Sequence, residues 1–284
     1  LASEMGAVGC LVRSVTAHSL RSPHTGAMNY DGAKTKIPAA AIATEDAEMI
    51  SRILSRGGDV RVTIKMQARD EGLVPSANVI GELRGREKPE EVVVIGGHID
   101  AWDVGHGAHD DGTGCVMSME ALTVLRKLKL QPRRTIRVVL WTNEENGLAG
   151  GKQYAKDHEK ELTHHVAAIE SDSGGFHPEG LTVECADAKA QARAAKQLME
   201  ITDLLGSLGP MKITEGHSGA DISPMKEGGV VLMGLDVEGS KYFDYHHSHA
   251  DTFDKVNPKE LSECVAAMAV SAYVIAEMPE RLGR

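Results

Sequence analysis

Residues 92–114 read VVVIGGHIDAWDVGHGAHDDGTG, a β-branched run that stops on two glycines and passes at once into three histidines and four aspartates. An apolar run from Val92 to Ile95, bounded by glycine, has the pattern of a strand buried on both faces, the kind that fills parallel sheets. The carboxyl end of that strand and its loop carry His98, Asp100, His106, His109, Asp110 and Asp111. The stretch therefore joins a parallel-sheet core to a dense set of metal-ligating side chains.

Downstream, strands alternate with helices. GTGCVMSMEALTVLRKL, LAGGKQYAKDHEKEL, AKAQARAAKQLMEITDLLG and the terminal PKELSECVAAMAVSAYVIAEM carry helical patterns, whereas TIRVVLWTN, HHVAAIESD and VVLMGLDV read as strands. Upstream, NVIGEL is expected to pair beside EVVVIGG across a polar turn. This alternation predicts an α/β fold, a mixed, mainly parallel sheet flanked by helices. In such sheets ligands bind beyond the carboxyl ends of the strands.

Before residue 70 the pattern changes. An apolar run at 7–12 leads to the turn-rich SPHTGAMNYDGAKTK, then IPAAAIA, and EDAEMISRILSRGG has a helical period that closes on paired glycines. RVTIKMQA alternates like a half-buried strand, and ARDEGLVPSA reads as a linker. We expect a small α/β or β-rich accessory domain over 1–70 and a catalytic domain over 71–284. The opening LASEMGAVGCLVRSV has no basic leader and reads as the middle of a domain, so a fragment or processed form is expected.

Composition bounds the function. Hydrophobic residues at 42% and charged residues at 25% of the 284 suit a packed globular chain rather than a disordered one. A net charge of -10 lacks the electrostatic footprint of a nucleic-acid binder, and the sequence holds no apolar run of membrane-spanning length. Small molecules or peptides are the expected partners. The four cysteines, Cys10, Cys115, Cys185 and Cys264, are too dispersed for a disulfide framework or a CxxC site.

The strand ends hold the chemistry. VVVIGGHID ends on His98 and Asp100, VVLWTNEE on Glu144 and Glu145, and VAAIESD on Asp172; Asp110 and Asp111 join them, as does YHHSHADT at 245–252. Imidazole plus carboxylate without thiolate suits zinc or a similar first-row ion, whereas calcium and magnesium prefer oxygen alone. The set exceeds what one tetrahedral ion needs. Two ions roughly 3.5 to 4 Å apart, sharing a carboxylate, would use it. Taken singly, each residue also has an ordinary role: Asp110 as a helix cap, Asp172 as an Asx-turn, Glu144 and Glu145 as a solvated turn. His106, His109 and His249 default to loop structure, and Asp103 and Asp111 to turns and caps.

GGHID, GAHDDGTG, WTNEE, ESDSG and HHSHADT, in this order, resemble the binuclear zinc exopeptidases of the aminopeptidase and glutamate carboxypeptidase family, and PHTGAMNYD extends the likeness toward the amino terminus. The resemblance implies a zinc exopeptidase fold with a partial protease-associated type domain before residue 70. It implies two zinc ions per chain: His98 and Asp172 on one, Glu145 and His247 on the other, and Asp110 bridging them. His247 is chosen over its neighbours because Asp251 stands four residues beyond it. It further implies a metal-bound hydroxide with Glu144 as general base, acting on short peptides, most of all dipeptides. Asp100, two residues after His98, is expected to accept the second imidazole N–H of His98. Several aminopeptidases of the family have a tyrosine just before the last histidine; here His246 takes that place and becomes the expected oxyanion donor.

The likeness also implies a homodimer and a secreted, lysosomal or periplasmic location. The same fold carries aminopeptidases of longer peptides, metal-free receptor-like modules and a mono-zinc glutaminyl cyclase. Retention of all five ligand positions and the base argues against the metal-free module, whereas hydrolysis of an amide without a free carboxylate separates the aminopeptidase from the dipeptidase.

Overall fold

The computed structural model describes residues 1–17, 21–30, 32–69 and 71–284, so Asp31 of PHTGAMNYD and the expected boundary residue Asp70 lie outside the described residues. The amino-terminal part holds β1 (Cys10–Arg13), β2 (Ala39–Ile42) and α1 (Thr44–Ser55). Next come β3 (Val79–Leu83), β4 (Lys88–His98), α2 (Thr113–Lys127), β5 (Arg134–Trp141), α3 (Ala149–Asp157) and β6 (His165–Glu170). The chain continues through β7 (Pro178–Glu184), α4 (Ala188–Asp203), β8 (Lys212–Glu215), β9 (Val231–Val237), the one-turn α5 (Tyr242–Tyr245) and α6 (Pro258–Glu277).

β3 to β9 form one sheet in the order β3-β5-β4-β6-β9-β7-β8. Its centre, β5-β4-β6-β9, is parallel; β3 joins β5 and β7 joins β9 antiparallel, while β7 and β8 run parallel to each other. This is the expected mixed, mainly parallel α/β fold. Val92 to Ile95 are buried throughout. Each such side chain contributes about 1.5–3 kcal/mol by leaving water. Helices α2, α4 and α6 cover one face through Met117, Leu125, Leu198, Met268 and Ile275, while Tyr154 of α3 packs with Ile222 and Met225 on the other. Asn257 accepts the Lys259 N–H to cap α6, with Pro258 at its first position. No helix of the described residues is long and apolar enough to cross a membrane.

Several local expectations need correction. NVIGEL does form a strand, but β3 pairs with β5 and not with β4. Physical chemistry explains the swap: β4 is apolar through its centre and needs covered neighbours on both sides, whereas Val79 and Ile80 of β3 remain half exposed and suit an edge. RVTIKMQA, despite its alternation, forms no strand, having no ladder partner among the described residues. The helix expected over LAGGKQYAKDHEKEL stops at Asp157, where the polar HEKEL winds into turns. β7 and β8 carry weak signals, one opening on Pro-Glu-Gly and the other only four residues long.

Chain order makes β4 the switch point. The chain runs from β4 to β5 on one side and then crosses to β6 on the other, so the crevice opens above the carboxyl end of β4. The opposite end of the sheet is locked by charge. Glu91 at the start of β4 accepts from Arg134 Nε and from the Arg281 guanidinium at 3.0 Å, and Arg134 is wholly buried. Burial alone would raise the Glu91 carboxyl, but the two guanidiniums outweigh it and hold the group below its usual range. Its stabilisation is therefore full above the ordinary glutamate pKa and is lost as pH falls through the depressed folded value. Glu91→Gln should cost about 3 kcal/mol in urea unfolding at pH 7 by stranding Arg134. The gap to wild type should narrow in acid.

Candidate metal centre

His98 ends β4 with its main chain and ring both fixed. Its Nδ1 lies 2.8 Å from the Asp100 carbonyl oxygen, an acceptor only, so Nδ1 carries the proton and Nε2 keeps its lone pair. Nε2 then faces Asp110 Oδ1 at 3.1 Å and Asp172 Oδ1 at 3.3 Å. The His98 N–H donates to Asp111 Oδ2 at 3.0 Å, and the Gly114 N–H donates to Asp111 Oδ1 at 3.0 Å. Glycine is required at 97 and 114, because a Cβ at either would collide with the Asp111 carboxylate.

Asp110 sits in the wound turn Ala108–Gly112, where the Asp110–Asp111 peptide is cis. Asp251 grips this turn, accepting the N–H of His109 at 2.7 Å and of Asp110 at 3.2 Å. Asp110 is thereby aimed both ways. Its Oδ1 faces His98, and its Oδ2 lies 3.1 Å from His247 Nε2, which also meets Glu145 Oε2 at 2.9 Å. His246 is stacked on His247 with ring centroids 3.6 Å apart, and its Nε2 is 3.5 Å from Asp110 Oδ2. Of the two, His247 makes the closer approach and touches Glu145 as well.

All five residues expected as ligands thus converge, in the sequence Asp172, His98, Asp110, His247, Glu145. Donor atoms of His98, Asp110 and Glu145 lie within 4.8 Å of one another, as do those of Asp110, His246 and His247 and those of His98, Asp111 and Asp172. Asp111 is committed to two backbone N–H groups, which favours Asp110 over it as a ligand. Asp100 takes the second His98 ring nitrogen as expected, through its carbonyl, and its Oδ1 accepts the Glu144 N–H at 3.0 Å. Two residues along one strand face bring a carbonyl closer to the ring than a side chain; the Asp100 carboxylate stands 3.9 Å off.

The donor set fits metal ions. Separations of 2.9–3.3 Å between facing donors match the edge of a tetrahedron with 2.0 Å bonds, about 3.3 Å. Glu145 Oε1 is buried without a hydrogen-bond partner among the described residues, as expected of a group awaiting a cation. Electrostatics agree. Burial would lower both imidazoles, but hydrogen bonds to Asp110 and Asp172 raise His98 far above its ordinary value, and those to Asp110 and Glu145 raise His247 to about 10. The surroundings demand positive charge there.

Glu144 is raised to about 7, first by burial and then by the negative charge of Asp172. His246 is lowered to about 4, mainly by burial, so it is a neutral imidazole near pH 7. Sequence reasoning did not single out Glu170 and Asp221, both fully buried beneath the site, with Asp221 pushed up to about 9 chiefly by burial. His109, expected as loop structure or support for the site, is buried and packs against both Phe176 and Tyr245. Trp102, Val104, Ala101 and Gly107 line the mouth of the depression over Asp110, Glu145 and His247.

Comparison with known proteins agrees with this geometry. The model of Peptidase family M28 matches residues 78–272. The chain belongs to peptidase family M28. Carboxypeptidase Q of Mus musculus is 42% identical over 283 residues, covering 100% of this chain and 59% of the relative. The human carboxypeptidase Q is 41% identical over the same length. This M28 chain therefore spans about three-fifths of the length of the curated relatives it matches. The crystal structure of a peptidase M28 precursor from Shewanella amazonensis superposes with a TM-score of 0.86 at 39% identity, over 99% of this chain and 63% of that one. A zinc aminopeptidase from Bacillus subtilis, 20% identical with a TM-score of 0.62 over 99% of this chain and 67% of that one, shares the fold.

The hydrogen bonds separate two kinds of aspartate. Asp251→Ala should weaken metal binding about 10–100-fold in calorimetric titration, because the Asp110 turn loses its anchor. Asp100→Ala should weaken it less than about tenfold, because the main chain serves His98.

Proposed function

We propose that this M28 chain forms the core of a binuclear zinc exopeptidase that hydrolyses short peptides, dipeptides foremost. One observation carries the two-metal reading: the two carboxylate oxygens of Asp110 diverge, one toward His98 and Asp172, the other toward His247 and Glu145. His98 and Asp172 would hold one zinc, His247 and Glu145 the other, with Asp110 shared. The likeness to carboxypeptidase Q and to a zinc aminopeptidase supports zinc and a peptide substrate.

Two zinc ions bound there would polarise the scissile carbonyl and bring the pKa of attacking water to roughly 7. Glu144, half buried and raised to about 7, is matched to take that proton and pass it to the leaving amine. Asp100 fixes the Glu144 main chain and so the angle from which its carboxylate works. His246, neutral and beside Asp110, is assigned the hydrogen bond to the developing oxyanion. Residues 1–70 are read as part of a protease-associated type unit. We place the enzyme, on the same likeness, in a secreted, lysosomal or periplasmic setting, as a homodimer.

The test uses chelator-stripped protein titrated with zinc against a free dipeptide and its N-acetylated and C-amidated forms. Activity should return as zinc approaches two per chain, with only the free dipeptide cleaved; hydrolysis of the amide would assign an aminopeptidase instead. Glu144→Gln should lower kcat by about 10²–10⁴. Its zinc content should equal that of wild type.

A further inference from the structure

We infer that the Pro23–Gly26 segment of the amino-terminal unit is a working part of the metal centre, its Thr25 peptide group positioning His247. The inference rests on the two-metal reading above. His98 finds its orienting carbonyl two residues away, whereas the His247 ring takes its own from 222 residues away: Nδ1 lies 3.2 Å from the Thr25 carbonyl oxygen. As at His98, a carbonyl on Nδ1 puts the proton there and leaves the Nε2 lone pair for a metal. The contact is reciprocal. The Thr25 N–H donates to the His247 carbonyl at 2.8 Å, so the main chain of one residue fixes both the ring and the backbone of His247.

That backbone needs fixing. His247 has φ 55°, in the left-handed region that costs a residue with a Cβ roughly 1–2 kcal/mol. The Thr25 segment is itself anchored. The His24 N–H donates to Ser14 Oγ at 3.0 Å, Ser14 Oγ donates to the Ile42 carbonyl at 2.9 Å, and Thr16 Oγ1 donates to Asp244 at 3.0 Å. Ser14 is buried and follows β1, and Ile42 ends β2. A continuous relay thus runs from the two-stranded sheet to one zinc ligand, from residues that lie outside the matched segment 78–272.

Because both Thr25 contacts use main-chain atoms, the side chain is dispensable and the N–H is not. In the full chain, Thr25→Ala should bind two zinc ions as wild type does. Thr25→Pro, which deletes the donor, should weaken one of the two zinc ions, the one assigned to His247 and Glu145, about 10–100-fold and leave the other unchanged. Competition against a chromophoric chelator reads both affinities directly. Should Thr25→Pro fail to fold, Ser14→Ala cuts the same relay one step back and should show the same selective loss. A folded variant that binds both ions with wild-type affinity overturns the inference while leaving the two-metal reading intact. Binding of a single zinc by wild type overturns both.

Discussion

The arrangement depends on one carboxylate held between two imidazoles. Asp110 can face His98 and His247 at once only if each of the three is fixed by something other than the others, since five donors within ion-binding range repel or collapse when free. The structure solves this by assigning main-chain partners. Asp111 accepts the N–H of His98, Asp251 accepts the N–H of Asp110, and Asp100 accepts the N–H of Glu144. Carbonyls of Asp100 and Thr25 take the outward nitrogens of the two rings. A carboxylate bonded to backbone N–H groups holds its neighbour in place without competing for a metal, which accounts for Asp100, Asp111 and Asp251 beside the five convergent residues.

That excess also sets the electrostatics. Burial, then mutual repulsion, drives Asp111, Glu170 and Asp221 upward, and Glu144 with them to about 7. Burial thus brings the proposed base near neutral pH, and the acidic field that favours positive charge at the histidines adds to it. Helices cover this charged rim from below: the apolar strand β4 and the α2 and α6 faces keep water from its underside.

Much of this was legible in the sequence because period and position coincide. A β-branched run followed by His98, another followed by Glu144 and Glu145, and a third followed by Asp172 mark parallel strands whose ends must meet. The fold class, His98, Asp172 and the Glu144–Glu145 pair could be read that way, whereas the choice of Asp110 and His247 came from the resemblance. Strand order could not, since NVIGEL carries no mark that would seat it beside β5 rather than β4. Nor could the Asp100 atom that serves His98, because the spacing suits a carbonyl and a carboxylate equally. Asp111 and Asp110 were separable by resemblance, and the geometry adds a reason in the two N–H groups that occupy Asp111. The contact of Thr25 with His247 spans 222 residues and runs through main-chain atoms, which leave no trace in side-chain identity.

That last contact bears on how the metal centre and the amino-terminal unit relate. A left-handed His247 carries a backbone cost of roughly 1–2 kcal/mol, and two hydrogen bonds to one peptide are worth about 0.5–1.5 kcal/mol each. The two nearly offset. The Thr25 main chain thus offsets the backbone cost of the conformation in which His247 faces Asp110 and Glu145.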